Sequence, residues 1–181
     1  MSVYVFAYGS LTLRRAPAPE HRLTDFARVW NVAMDNRRDL PGYKYYRDLD
    51  TGERPAIHVA FLNLASDPGV ATNGALLEVT RAELAALDAR ERNYDRITVT
   101  DLVDPEPDGT VYAYVGKPEA RERFAQAVAA AACAVDAAYL DGVRAGFRAL
   151  GPGALRRFDA CTPRPPVPVR RLHRHDLPAR S

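Results

Sequence analysis

The sequence predicts an α+β fold built on a mixed or closed sheet, and three observations carry that prediction. Strand-like segments fill the chain up to Val115. Helical patterns take over from Pro118 onward. No segment repeats. Strands first and helices later argue α+β. The 181 residues make about one domain, long enough to bury a core without staples.

The elements follow in order. Residues 3–8 are apolar, aromatic and β-branched and read as a buried strand. The strand runs into Tyr8-Gly9-Ser10-Leu11, where a glycine lets the backbone turn sharply or lets a ligand approach the main chain. Backbone N–H groups leaving a strand together can form an anion-binding concavity; an ordinary strand followed by a turn fits the same residues. A second strand is expected over residues 27–34, where Trp30, Val32 and Met34 alternate with polar or small residues. Residues 35–50 read as a polar, aromatic-rich loop with a turn at Leu40-Pro41-Gly42-Tyr43. A strand over residues 56–64, a turn at Asn73-Gly74 and a strand over residues 75–79 come next. Thr80-Arg81-Ala82-Glu83 fits a capping box and starts a short helix. Residues 97–103 and 111–115 read as strands flanking a loop over residues 105–109. Pro118 suits a first helical turn, and helices are expected to about Val135, over residues 136–150, and after Gly151-Pro152-Gly153. Beyond Thr162 the chain is proline- and arginine-rich and extended, which divides it into a domain over residues 1–162 and a tail over residues 163–181.

Composition narrows the function. The chain is 47% hydrophobic and 27% charged, as globular proteins are. A net charge of +2 gives no general case for a nucleic-acid or membrane partner. Cys133 and Cys161 lack a CxxC spacing and read as reduced, structural thiols of a cytoplasmic protein. The N-terminus lacks the basic region and cleavage site of a secretory signal. No apolar run approaches a membrane span.

The helix opened by Thr80 carries the chemical signal. At about 100° per residue, Leu84 and Glu91 point within about 20° of each other and Leu87 lies about 60° away. Glu91 therefore sits on the apolar face near the helix end. A carboxylate there is either paired, with Arg90, Arg92 or Arg96 in reach along the chain, or partly desolvated, which raises its pKa and suits a general acid/base. Asp88 is a weaker candidate for that role and also suits capping or pairing. Arg37 or Arg38 could hold a substrate carboxylate by a bidentate contact, but an exposed turn is the favoured reading. His173-Arg174-His175 has no acidic or cysteine partner at metal-ligand spacing and reads as tail. The arginines from Arg164 onward read as a solvated or docked edge, and Cys161 as a packing residue.

Three blocks add a resemblance. Phe6-Ala7-Tyr8-Gly9-Ser10-Leu11 is similar to the signature of the γ-glutamylcyclotransferase family, which includes the AIG2-like proteins. Residues 73–80, followed by Leu84-Ala85-Ala86-Leu87-Asp88 and Glu91-Arg92-Asn93-Tyr94, resemble its second block. Tyr139-Leu140-Asp141-Gly142-Val143, continuing to Gly146 and Gly151-Pro152, resembles its C-terminal helical segment. The resemblance covers residues 3–162 and implies a small barrel-like mixed sheet with flanking helices. It implies Glu91 as the catalytic glutamate, Tyr8, Gly9, Ser10 and Leu11 as the substrate-holding loop, and Tyr139 as a substrate contact. The signature loop continues with asparagine in eukaryotic members, whereas Leu11-Thr12 stands here.

The implied reaction closes a γ-glutamyl amine to 5-oxoproline and releases the free amine. The substrate carries its own nucleophile, so no serine or cysteine is needed, and no metal, nucleotide or other cofactor is required. The expected partner is a small γ-glutamyl compound. A non-catalytic ligand-binding or regulatory protein, or an amide hydrolase using the same pocket, are the alternatives. Tyr43, Tyr45 and Tyr46 are expected to face the leaving amine.

Overall fold

The computed structural model describes residues 2–13 and 19–178. Its centre is β1 (Ser2–Ala7), whose residues 5–7 are buried. Two long strands, β2 (Glu20–Asp35) and β4 (His58–Glu78), pair antiparallel from Glu20↔Ala75 to Asp35↔His58. Around them lie β5 (Tyr94–Thr98), β6 (Val103–Asp104) and β7 (Gly109–Gly116). The sheet order is β5-β7-β1-β4-β2-β6. β1 runs parallel to β7 and antiparallel to β4, so the sheet is mixed. It curls into a half-barrel with four α-helices around it among the described residues, which agrees with the expected fold class.

The local signals at helix starts hold. Thr80 Oγ1 accepts from Glu83 N (3.2 Å) while Thr80 N donates to Glu83 Oε2 (2.8 Å), closing the capping box of α1 (Arg81–Arg90). Pro118 opens α2 (Pro118–Ala129), and Asp136 caps α3 (Ala137–Ala149) through Ala138 N at 3.2 Å. α4 (Ala154–Cys161) follows Gly153. Leu40-Pro41-Gly42-Tyr43 is a turn, with Gly42 at φ +67° and Tyr43 N donating to Leu40 O at 2.9 Å.

Four expectations are corrected, three of them by pairing over long sequence distances. The loop over residues 35–50 contains β3 (Lys44–Asp48), which pairs with β10 (Leu172–Asp176) at the other end of the chain. Asn73-Gly74 is no turn, because both lie inside the continuous β4. Gly74 answers a close approach: a Cβ there would come within 2.6 Å of Ala7 O and of the Phe6 ring. The helix expected to Val135 stops at Ala129, and Cys133–Asp136 form β8, buried throughout and parallel to β4 and to β9 (Val169–Arg170). Burial on every residue hides a parallel strand within an alanine-rich run. The strand expected over residues 97–103 is split by a 3₁₀ turn at Thr100–Leu102. Within the segment read as tail, β9 and β10 pair with the body and Leu172 is buried; residues 179–181 of that segment lie outside the described residues.

Two apolar clusters position the site. Val5, Val79, Leu87 and Tyr114, with Leu11, Leu84 and Tyr94 against them, seat α1 beside the end of β1. Met34, Tyr46, Val59, Phe61 and Leu172, with Tyr43 and Tyr139 against them, seat β3 and β10 on the sheet.

Candidate active site

The loop after β1 is held by its carbonyls. Arg28 Nε donates to Tyr8 O at 2.9 Å. Thr12 N and Thr12 Oγ1 both donate to Gly9 O, at 3.1 and 2.8 Å, within the 3₁₀ turn Ser10–Leu13. A trans peptide sets its N–H opposite its C=O. The N–H groups of Gly9 and Ser10 therefore point away from Arg28 and Thr12. A Cβ on Gly9 would stand 3.4 Å from the Tyr139 hydroxyl, in the space between this loop and α3.

Glu91 closes the opposite wall. It is the C-cap residue of α1, with its N–H donated to Leu87 O at 2.8 Å and its own carbonyl accepting from Tyr94 N at 2.9 Å. The apolar phase of Leu84 and Leu87 turns it inward, and its side chain is only 18% exposed. Of the three arginines near it in sequence, Arg90 is the partner, with Nε 3.4 Å from Oε1. Arg92 donates to Pro41 O and Arg96 pairs with Asp88. Asp88 also accepts from the Tyr114 hydroxyl at 2.8 Å, so it is engaged in pairing.

Tyr8, Gly9, Ser10, Leu11, Glu91 and Tyr139 come together around one small chamber of about 40 Å³, joined by Leu62, Tyr94 and Tyr114. Burial pushes the Tyr8, Tyr94, Tyr114 and Tyr139 phenols up, so all four stay protonated at neutral pH. Three of these protons are committed: Tyr8 donates to Tyr114 O (2.6 Å), Tyr94 to Leu62 O (2.8 Å) and Tyr114 to Asp88. Tyr139 differs. Its oxygen accepts from Leu62 N at 3.3 Å, and its own proton has no acceptor among the described residues. Phe61 and Trp30 hold the ring edge-on, at centroid distances of 5.1 and 6.2 Å.

The chamber opens into a cavity of about 340 Å³ that shares Ser10, Glu91, Tyr94 and Tyr139 with it. Lys44 from β3, Arg90, Arg92, Asp136, and Arg174 and Asp176 from β10 line this outer part. Tyr43 and Tyr46 also line it, whereas Tyr45 faces away, stacked on His175 at 5.0 Å. A larger depression of about 540 Å³, bounded by Tyr4, His21, Glu78 and Glu106, contains neither Glu91 nor Tyr139. Arg37 is committed to Asp35, through contacts of 2.8 and 2.9 Å, at a separate depression. Among the described residues, no group of three His, Cys, Asp or Glu side chains could hold a metal, and no helix is long and apolar enough to cross a membrane.

Local sequence marked Tyr94 within a motif block but gave it no role, and gave none to Lys44, Arg174 or Asp176. Tyr94 lies three residues beyond Glu91, so the turn that ends α1 brings both to one wall. Nothing near Arg174 in the sequence signals its place beside Lys44.

A curled half-barrel thus sets a strand-end loop opposite a helix-end carboxylate around one small chamber. The sequence model of "Gamma-glutamyl cyclotransferase, AIG2-like" matches residues 5–130. The chain belongs to that family. A solved structure titled "Gamma-glutamyl cyclotransferase" superposes with a TM-score of 0.52 at 16% identity, covering 93% of this chain and 94% of that one. YkqA from Bacillus subtilis gives 0.56 at 14% identity over 88% of this chain, which spans about half (53%) of that protein. An uncharacterized protein from Homo sapiens gives 0.53 at 18% identity, over 90% and 89% of the two chains. At these identities the likeness is one of fold. No curated protein gives a significant sequence match.

Proposed function

We propose that the protein closes a γ-glutamyl amine to 5-oxoproline and releases the free amine. The observation that supports this is a single chamber lined by one carboxylate, Glu91, by Gly9 and Ser10 of the strand-end loop, and by the Tyr139 hydroxyl.

The substrate's α-amine attacks its own γ-carbonyl, forming the ring C–N bond. Tethering nucleophile to electrophile supplies the effective concentration that a protein nucleophile would otherwise need. Glu91 accepts the proton lost by the attacking nitrogen and returns it to the leaving nitrogen as the original amide C–N bond breaks. Charge builds on the γ-carbonyl oxygen in between. The N–H groups of Gly9 and Ser10 and the uncommitted Tyr139 proton are donors for that oxyanion, already fixed by Arg28, Thr12 and Leu62. Tyr8, Ser10 and Leu11 complete the wall that holds the γ-glutamyl group.

Incubation with γ-glutamyl dipeptides, γ-glutamyl alkylamines and γ-glutamyl-ε-lysine tests this reading. The expected product from at least one class is 5-oxoproline with one equivalent of amine. Free glutamate would identify a hydrolase, and binding without product would identify a ligand-binding protein; either contradicts cyclisation.

A further inference from the structure

We propose that the outer cavity is a leaving-group subsite in which Lys44 binds an anionic group, a carboxylate, on the departing amine. This rests on the cyclisation reading above and adds which leaving groups are preferred.

The charges of the cavity carry the inference. Arg90 is paired with Glu91, and Arg174 with Asp176 at 2.5 Å. Arg92 donates to Pro41 O. The buried Asp136 accepts from Ala138 N as the cap of α3. Lys44 alone among these cations has neither an ion pair nor a side-chain hydrogen bond among the described residues. Its Nζ lies 4.4 Å from the Phe61 centroid and 5.6 Å from that of Tyr43. Phe61 packs in turn on Tyr139, so the ammonium stands one ring away from the inner chamber. A half-buried ammonium held on aromatic faces keeps its hydrogen-bonding capacity for a ligand, and a carboxylate is the acceptor that uses it best. Burial, then Arg174, pushes the Lys44 pKa down to about 8, against the opposing pull of the Glu91 and Asp176 carboxylates. β3 and β10 present this residue together, so the C-terminal strand, outside residues 5–130, completes the subsite.

The test compares γ-glutamyl-alanine with γ-glutamyl-ethylamine, which differ by one carboxylate. The readout is the ratio of their kcat/KM values for 5-oxoproline release. The wild type at pH 7 is expected to favour the alanine compound by about tenfold or more, mainly through KM. Lys44→Met is expected to bring the ratio to about threefold or less. Lys44→Arg should retain a preference, and Lys117→Met, which removes a lysine outside the cavity, should keep the wild-type ratio. The wild-type ratio should also fall as pH rises from 7 to 9, as the Lys44 ammonium deprotonates. The groups facing Lys44 do not mimic this fall. Arg90, Arg92 and Arg174 keep their charge. Burial raises Asp136, but from an ordinary carboxylate range that lies well below the window, and Asp176 is paired with Arg174. Tyr43 and Tyr46 are pushed up to about 12 or beyond by burial, as is Tyr139. His175 faces Tyr45, and Glu91 serves both substrates alike. The pH series needs no variant, so it decides the matter if Lys44→Met fails to fold. A wild-type ratio near one, an unchanged ratio in folded Lys44→Met, or a ratio independent of pH would overturn the subsite while leaving cyclisation standing. No 5-oxoproline from either compound would overturn the subsite, and none from γ-glutamyl-ε-lysine as well would overturn cyclisation too.

Discussion

Arg28 organises the site from behind. It is fully buried and has no carboxylate within ion-pair distance among the described residues. Its guanidinium lies against the stacked rings of Phe147 and Phe158, 4.8 and 4.6 Å from their centroids. It donates to Tyr8 O, to Thr162 Oγ1 at 2.8 Å and to the Asn73 carbonyl. Burial pushes its pKa down to about 10, which still leaves it charged at neutral pH. One cation thus ties the strand-end loop to β4 and to the end of α4. Arg28→Met keeps the stem but strands these acceptors, and a loss of about 2–4 kcal/mol is expected in urea unfolding. A midpoint equal to that of the wild type would contradict this role. Arg28 shares the phase of Trp30, so strand alternation points both to one face, and the bulge between Trp30 and Val32 then turns Met34 to the other cluster. Its acceptors, 45 and 134 residues away, are set by topology and leave no local trace.

At the scale of elements, the readable features are those written within a few residues. The capping box of α1, the proline at the start of α2 and the turn at Gly42 each rest on neighbouring side chains, and each is where the sequence put it. Glu91 belongs with them, because helical phase alone aims it at the apolar face. What escapes local reading is pairing between distant segments. β3 and β10 are short and polar, and each is a strand because the other lies beside it. Leu172 tests this docking. It is buried in a cluster with Met34, Tyr46, Val59 and Phe61, so Leu172→Ala should cost about 2–4 kcal/mol in chemical unfolding. The exposed neighbour His173→Ala should change stability by less than about 0.5 kcal/mol. Equal and negligible effects would mean that the C-terminal strand is not held against the body.

At the scale of the whole molecule, the site is a convergence of segments far apart in the chain. β1 brings the loop, α1 brings Glu91, α3 brings Tyr139, and the pair β3 and β10 walls the outer cavity. The first three were legible because each carries a motif block of the family. The fourth was not, since its residues acquire meaning only from their neighbours in space. The proposed division of labour is an inner chamber of phenols and fixed backbone donors around one carboxylate, and an outer cavity that selects the leaving group. In the proposed reaction Glu91 moves the proton. Glu91→Gln preserves shape and removes that capacity. The decisive measurement is 5-oxoproline release by this variant on the best γ-glutamyl substrate, beside its melting temperature. With folding unchanged, kcat should fall by at least about a hundredfold. A folded variant that turns over within about threefold of the wild type would contradict the role of Glu91 as general acid/base.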